Sequence, residues 1–416
     1  MESGSSAIVV VGGGLIGLSA AFHIRRADRR ARVTVLERAH VGDAASGASA
    51  AGVRVMGRDP AERAMALESL GRWPDLDREL EAKTGYRRSG GLRVALDETG
   101  WAEARATAAE QRADGVPVEL VDAADAHRLA PGLSSECRGG VHCPIDGQAD
   151  AVATVHAWAT AARRLGACIE EGVGAEALVV EGARVVAVVR SDGTRLPCDT
   201  ALVAAGAWSA ILLANVGVRL SLRGRGLQML LTDAAPARLT PVVGCFGRPL
   251  SLKQLVDGAY LIGGGWPARV PDEALNRWEV LDDSVRGSLE VARAVYPPLA
   301  ARSVARSWAG IEAFTPDDLP LLGPMPGLDG LLIAAGFSGH GFALVPRSAT
   351  CWRGWRSDST RSPASGAGSA PPGCHDGGIR LIDNVSRPRI IGSASGSVRR
   401  SSASLPKRSR RRGGSS

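Results

Sequence analysis

The residues best able to do chemistry come first in the chain: Gly12-Gly13-Gly14-Leu15-Ile16-Gly17, and then Glu37. Gly12 permits a tight turn, Gly14 lets a diphosphate approach the backbone, and Gly17 lets a following helix pack closely. The first N–H groups of a helix beginning near Leu15, with Ile16 behind it, would point at phosphate oxygens. Glu37 can accept hydrogen bonds from both hydroxyls of an adenosine ribose, and a 2′-phosphate would be repelled there, which disfavours NADP. Two plainer readings compete: a glycine-rich turn that binds nothing, or an apolar stretch that serves as a membrane signal.

The flanking elements decide between them. Ala7-Ile8-Val9-Val10-Val11 has the apolar, β-branched character of a buried strand. Leu15, Leu18 and Phe22 recur at helical spacing up to Arg25-Arg26, and Val33-Thr34-Val35-Leu36 is a second strand ending at Glu37-Arg38. Strand, glycine loop, helix, strand and acid together are the context that makes a weak motif specific.

Further along, Ser46-Gly47-Ala48-Ser49 can open a helix whose hydroxyls and N–H groups face a second phosphate or a ring, or it is a capped loop. Residues 60–83 read as helical, 90–96 as a strand, 101–113 as a helix and 141–147 as a turn. A helix follows from about Ala151, with Val152, Val155, Ala159, Ala162 and Leu165 on one face. Three antiparallel strands come next, turning at Glu181-Gly182 and Ser191-Asp192-Gly193. Ala201-Leu202-Val203-Ala204-Ala205-Gly206-Ala207-Trp208-Ser209 then reads as a return to the parallel sheet, which puts Gly206 and Ala207 at its ligand-facing edge. Strand-like runs at Leu227–Leu231 and Tyr260–Gly263 precede a helix at 281–295. Leu331-Leu332-Ile333-Ala334-Ala335 closes on Gly336-Phe337-Ser338-Gly339-His340-Gly341, whose backbone N–H groups suit an anionic or electron-rich partner.

The formal charge of +7 over 416 residues misleads. Residues 347–416 carry 14 basic and 3 acidic side chains, which leaves 36 basic against 40 acidic in 1–346. A mildly acidic body argues against nucleic-acid binding outside the tail. Seven scattered cysteines without a C-x-x-C pair argue against a disulfide scaffold or a zinc site and suit a reducing cytoplasm. No basic n-region opens the chain, and no apolar run reaches about twenty residues, so neither a secretory signal nor a membrane span is expected.

Taken together and in order, Val11–Gly17, Glu37-Arg38, Ser46–Ser49, Ala204–Ser209, Thr315–Gly323 and Gly336–Phe342 resemble the FAD-dependent amino-acid oxidoreductases, the group of D-amino-acid oxidase, glycine oxidase and sarcosine oxidase. The likeness spans residues 7–345. Arg306-Ser307-Trp308-Ala309-Gly310-Ile311-Glu312 with Thr315-Pro316-Asp317 is most similar to sarcosine-oxidase β-type subunits and to opine or cyanide-forming amino-acid dehydrogenase subunits.

The resemblance implies an α/β fold with two domains. A Rossmann-like FAD-binding domain would come from 1–84, 150–215 and 315–346, and an antiparallel-sheet substrate domain from 85–149 and 216–314. FAD would lie extended along Gly12, Gly14, Leu15, Ile16, Gly17, Glu37, Arg38, Ser46, Gly47, Ser49, Val173, Gly206, Ala207, Trp208, Gly336 and Ser338. Gly339, His340 and Gly341 would sit beside the pyrimidine end of its ring. The reaction implied is hydride transfer from an amine-bearing carbon of a small amino or imino acid such as glycine, sarcosine, proline or an opine, giving an imine that water hydrolyses.

Departures from the pattern matter as much. Glycine-oxidase-type enzymes place a carboxylate-binding arginine where this chain has Glu312, so Arg54, where monomeric sarcosine oxidases keep such an arginine, is the alternative clamp or else part of a structural ion pair. His340 could polarise flavin or substrate, or merely fill a turn. Those sarcosine oxidases attach FAD through a cysteine at the place of Gly310, so FAD should be non-covalent. Their lysines at the places of Ala343 and near Leu261 are missing, which leaves O2 or a partner subunit as the electron acceptor and a hetero-oligomer as one form of the protein. Trp208 and Trp308 read as packing rather than catalytic residues.

From Pro346 the pattern fails, and the expected helix under the flavin should stop there. Residues 347–416, rich in Ser, Gly, Pro and Arg, cannot bury enough apolar area to fold and read as a disordered basic tail, able at most to touch nucleic acid or an anionic membrane. A reading-frame change in a GC-rich gene would produce the same break, and reading the DNA in the other two frames tests that idea. The rival function class is a flavin- or nucleic-acid-binding chain without turnover, disabled by this tail.

Overall fold

The computed structural model describes residues 5–348. Its first sheet has six strands in the spatial order 321–324, 331–335, 200–203, 7–11, 32–37 and 168–171, all parallel except Leu321–Pro324 at the edge. The strand Ala7–Val11 is central because Thr200–Val203 pairs on one side of it and Arg32–Glu37 on the other. Strand order therefore reverses about it while the strands stay parallel, and a crevice opens at their carboxyl ends.

The apolar runs of these strands follow from burial on both faces. Val10, Val33, Val35, Leu202, Leu332 and Ala334 face a helical layer. In that layer Phe22 of the helix Leu15–Ala27 meets Trp158 of the helix Ala151–Arg164 edge-on at 5.4 Å. Val9, Val11, Leu36, Ala201, Val203 and Ile333 face the other way, onto Leu212 and Leu213 and the three antiparallel strands Ala175–Glu181, Arg184–Arg190 and Arg195–Pro197.

A ten-stranded sheet forms the second layer and takes strands from both 91–143 and 223–314. Its core joins Leu92, Leu230, Leu252 and Ile262 to Ala292 and Val295 of the helix Asp282–Val295. It is mainly antiparallel, but Val242–Cys245 runs parallel to Gly91–Ala95. The long pair Arg223–Ala234 and Val304–Phe314 aligns Leu227 with Gly310 and Arg225 with Glu312, and so carries both residues toward the first sheet.

Four expectations need correction. The helical stretch 60–83 breaks at Trp73, where a short 3-10 turn through Pro74 separates Pro60–Arg72 from Leu76–Leu80, and Glu81 takes a left-handed φ of 51°. The turn expected over 141–147 is half strand, since Gly139–Cys143 pairs with Gly91–Ala95. Val152 lies in the first turn of its helix and is 54 % exposed, not buried with Val155. Pro346 does not end the last helix, which runs Gly341–Ser348 with the proline inside it. Ser69 Oγ and Trp73 Nε1 both donate to the Ala343 carbonyl, at 2.7 and 3.0 Å, and this grip ties the proline-containing helix to the chain at 69–73. The tail expected over 347–416 lies outside the described residues, apart from Arg347 and Ser348, which are helical and buried.

Among the described residues no helix is long and apolar enough to cross a membrane, and no group of His, Cys, Asp and Glu is placed to hold a metal.

Candidate functional site

A cavity of about 680 Å³ follows the crevice. Val11, Leu36, Glu37, Ala204 and Ala335, at the carboxyl ends of four parallel strands, form its floor. Its wall continues through Gly12, Gly14, Leu15 and Ile16, then Ser46 and Ser49, and at the far end Gly336, Ser338, Gly339 and Gly341. Arg38, Gly206 and Trp208 complete the near end.

The glycine loop is shaped by close approach. Gly12 has φ +111°, and a Cβ there would come 2.4 Å from the Ala204 carbonyl oxygen. A Cβ on Gly17 would lie 2.0 Å from the Gly12 carbonyl oxygen, so Gly17 acts from behind the wall by letting the helix close on the loop. Glu37 is pinned by two backbone donors, Gly13 N–H at 2.7 Å and Ala39 N–H at 3.0 Å. A carboxylate accepts about four hydrogen bonds, so two positions remain for ribose hydroxyls. Ser46 Oγ accepts the Leu15 N–H at 3.0 Å, which ties the helix Ala45–Ala48 to the loop. An adenine dinucleotide fits this donor set: an open backbone bend, a helix start beside a hydroxyl, and a ribose acceptor at one end of a long cavity.

Other expected residues stand off the cavity. Gly47 packs on the Gly42 carbonyl, where a Cβ would fall at 2.4 Å. Val173 is packed on the core behind Gly174, Ala175 and Glu176, which do line the wall. Ala207 is buried against Ile311 and Ala313. Trp208 lines the wall among the residues expected along the cofactor and stacks under Arg38, whereas Trp308 Nε1 donates to the Ala48 carbonyl at 3.0 Å. The position near Leu261 is less bare than the sequence suggests, because Lys253 lies opposite it across the strands. That lysine is buried, its pKa is pushed down to about 8 by desolvation, and Nζ donates to the Ala149 carbonyl at 3.1 Å.

Beyond Gly339 lies a charged cluster. His340 Nδ1 is 2.9 Å from Glu62 Oε2, off the line of a hydrogen bond, so among the described residues both Glu62 oxygens and Nδ1 stay without a hydrogen-bond partner. Arg58 Nε is 3.9 Å from the same oxygen. Burial lowers the His340 pKa first and Arg58 lowers it further, with Glu62 opposing. Burial lowers Arg58 to about 10. Arg54 is part-buried, and among the described residues its buried Nε has no hydrogen-bond partner. Its charge acts on Arg58, Asp146 and His340, so it belongs to this cluster. Glu312 lines the cavity facing the cluster, and burial pushes its carboxyl up to about 7, with Arg58 the opposing charge.

Arg58 and Glu62 escaped the sequence reading because Arg58-Asp59-Pro60-Ala61-Glu62-Arg63 has the composition of a solvated helix start. Ala274, Leu275 and Asn276 line the near end from a hairpin that carries no sequence signal for it.

Residues 7–351 match the family described as DAO, FAD dependent oxidoreductase. Glycine oxidase of Geobacillus kaustophilus is 30% identical over 362 residues, covering 82% of this chain and 89% of its own. Hydrogen cyanide synthase subunit HcnC of Pseudomonas aeruginosa is 26% identical, covering 79% and 87%. Among solved structures, L-proline dehydrogenase from P. horikoshii superposes with a TM-score of 0.77 at 26% identity, covering 84% of this chain and 92% of that one.

Proposed function

The chain belongs to the DAO family of FAD-dependent oxidoreductases, and from that premise we propose that it oxidises the C–N bond of a small amino or imino acid. The observation that carries this reading is the long cavity that begins at Glu37 and ends beside Glu312 and Gly339, next to the Arg54–Arg58–His340 cluster. FAD bound there supplies the two-electron oxidant that accepts a hydride from the amine-bearing carbon, and the imine is hydrolysed by water.

The chain's own residues do the rest. Gly12, Gly14, Leu15, Ile16 and Ser46 cradle the diphosphate, with Gly17 and Gly47 holding the loop in shape. Glu37 takes the ribose, and Arg38, Val173, Gly206, Ala207 and Trp208 shape the adenosine end. Ser49 and the turn from Gly336 to Gly341 enclose the ring, with His340 beside it. Arg54, whose charge reaches His340 and Arg58 beside the cavity, receives the substrate's carboxylate with its guanidinium. FAD is held without a covalent bond at Gly310, which has no side chain to offer.

Glycine oxidase and L-proline dehydrogenase among the similar proteins support small amino and imino acids as the substrate class. HcnC, named as a subunit, supports a second form of the reading in which electrons pass to a partner subunit rather than to O2. The free buried cysteines suit a cytoplasmic protein.

Anaerobic addition of glycine, sarcosine, proline or an opine to the flavin-loaded protein should bleach the flavin. Bleaching by none of them, with rapid bleaching by a hydroxy acid, would overturn the assignment. Comparing O2 with an artificial acceptor then separates oxidase from dehydrogenase.

A further inference from the structure

We propose that Glu312 receives the substrate's amine, its carboxylate taking a proton from the substrate ammonium while Arg54 holds the other end; this rests on the amino-acid reading above. The strand Val304–Phe314 brings Glu312 to the cavity wall, and Oε2 lies against the turn at Gly339, where a Cβ would sit 3.4 Å away. Two residues earlier, Gly310 lets the strand press on Ala48, which a Cβ would meet at 2.8 Å, so the position of Glu312 is fixed from both sides.

No hydrogen bond or ion pair is made by its carboxyl among the described residues. The charges around it are Arg58 and Glu62 from the segment 58–62, His340 from the turn, and Arg54 beyond them. Arg225, opposite on the paired strand, is turned over the Phe314 ring at 4.5 Å from its centroid. Glu312 is part-buried at the cavity wall, and its open acceptor sites are left to a donor that enters the cavity. A substrate carboxylate would be repelled there, whereas an amine brings N–H donors. Burial sets this acid at about 7, where proton exchange with an ammonium near neutral pH is feasible.

In the step, one ammonium N–H bond breaks. Its proton goes to a Glu312 oxygen and its electron pair stays on nitrogen. That pair forms the C=N bond as the carbon's hydride, with its two electrons, passes to FAD.

The test compares wild type, Glu312→Gln and Glu312→Asp, each checked for FAD content, using the amino acid that bleaches wild type fastest and its amine-less acid as a binding probe. The wild-type bleaching rate should rise with pH along a limb near 7. Glu312→Gln should lose that limb and slow by about 100-fold, yet bind the amine-less acid, read from the flavin spectrum, at least as tightly as wild type. Glu312→Asp should keep a shifted limb. An unchanged limb in Glu312→Gln, or parallel loss of amino acid and amine-less acid, overturns the role of Glu312. If Glu312→Gln holds no flavin, an unshifted limb in Glu312→Asp does the same. A wild type that no amino acid bleaches overturns the amino-acid reading itself, so the two failures are distinguishable.

Discussion

The Arg38 guanidinium stacks on the Trp208 ring, 3.8 Å from its centroid, and both side chains grip one hairpin. Arg38 Nη1 donates to the Ala274 carbonyl and Trp208 Nε1 to the Glu273 carbonyl, each at 2.7 Å. The hairpin joins Pro267–Asp272 to Arg277–Glu279, and Ala274, Leu275 and Asn276 close the cavity at its adenosine end. Trp208→Ala removes the stack and one hydrogen bond, each worth about 1 kcal/mol. FAD release, followed by recovery of free-flavin fluorescence after dilution, should become about 30-fold faster. An unchanged rate would show that the hairpin is not a latch.

Gly17→Ala should destabilise the fold even before cofactor is considered. Its new Cβ would meet the Gly12 carbonyl oxygen at 2.0 Å, and neither backbone can yield without moving the loop, a cost of about 3 kcal/mol. Gly71→Ala is the control: it lies in the helix Pro60–Arg72 with nothing within 4 Å, and should gain about 0.5–1 kcal/mol. Thermal unfolding of the two apoproteins should therefore shift in opposite directions.

How much of this could be read from sequence depended on how local the constraint was. The glycine loop was legible because Gly12 and Gly17 satisfy demands set within a few residues: a φ of +111° and a carbonyl closer than any Cβ allows. The three antiparallel strands were legible from their turns. Glu62 was not, because only the return of the chain at His340 turns an ordinary helix-start acid into a buried charge. Pro346 misled for a related reason: its helix is held at Ala343 by Ser69 and Trp73, 274 and 270 positions away in sequence. The hairpin at 272–276 has no periodicity, and only its contact with Arg38 and Trp208 reveals its place.

Glu37→Arg should empty the site. The carboxylate now accepts two backbone N–H groups and lines the cavity, and charge-assisted hydrogen bonds are worth about 1.5–3 kcal/mol each. A guanidinium can accept none of them and would leave the Gly13 N–H unsatisfied. FAD affinity, measured by titrating the apoprotein with FAD, should fall by at least about 100-fold. Retention of wild-type occupancy would remove Glu37 from the ribose site.

Glu312 also shapes the pH dependence of stability. Burial lifts its carboxyl from an ordinary 4.5 to about 7, with Arg58 opposing. Between those values the folded chain keeps a proton that the unfolded chain has already lost, so stability falls as pH rises through this window and levels off above it. Glu312→Gln has no proton to lose. Its Tm should therefore match wild type near pH 4.5, exceed it increasingly toward pH 7, and stay above it by a constant margin at pH 8. Thermal scans of the FAD-free proteins at pH 5 and pH 8 measure this directly, independently of any substrate, and a margin equal at both values would mean that the carboxyl reaches solvent.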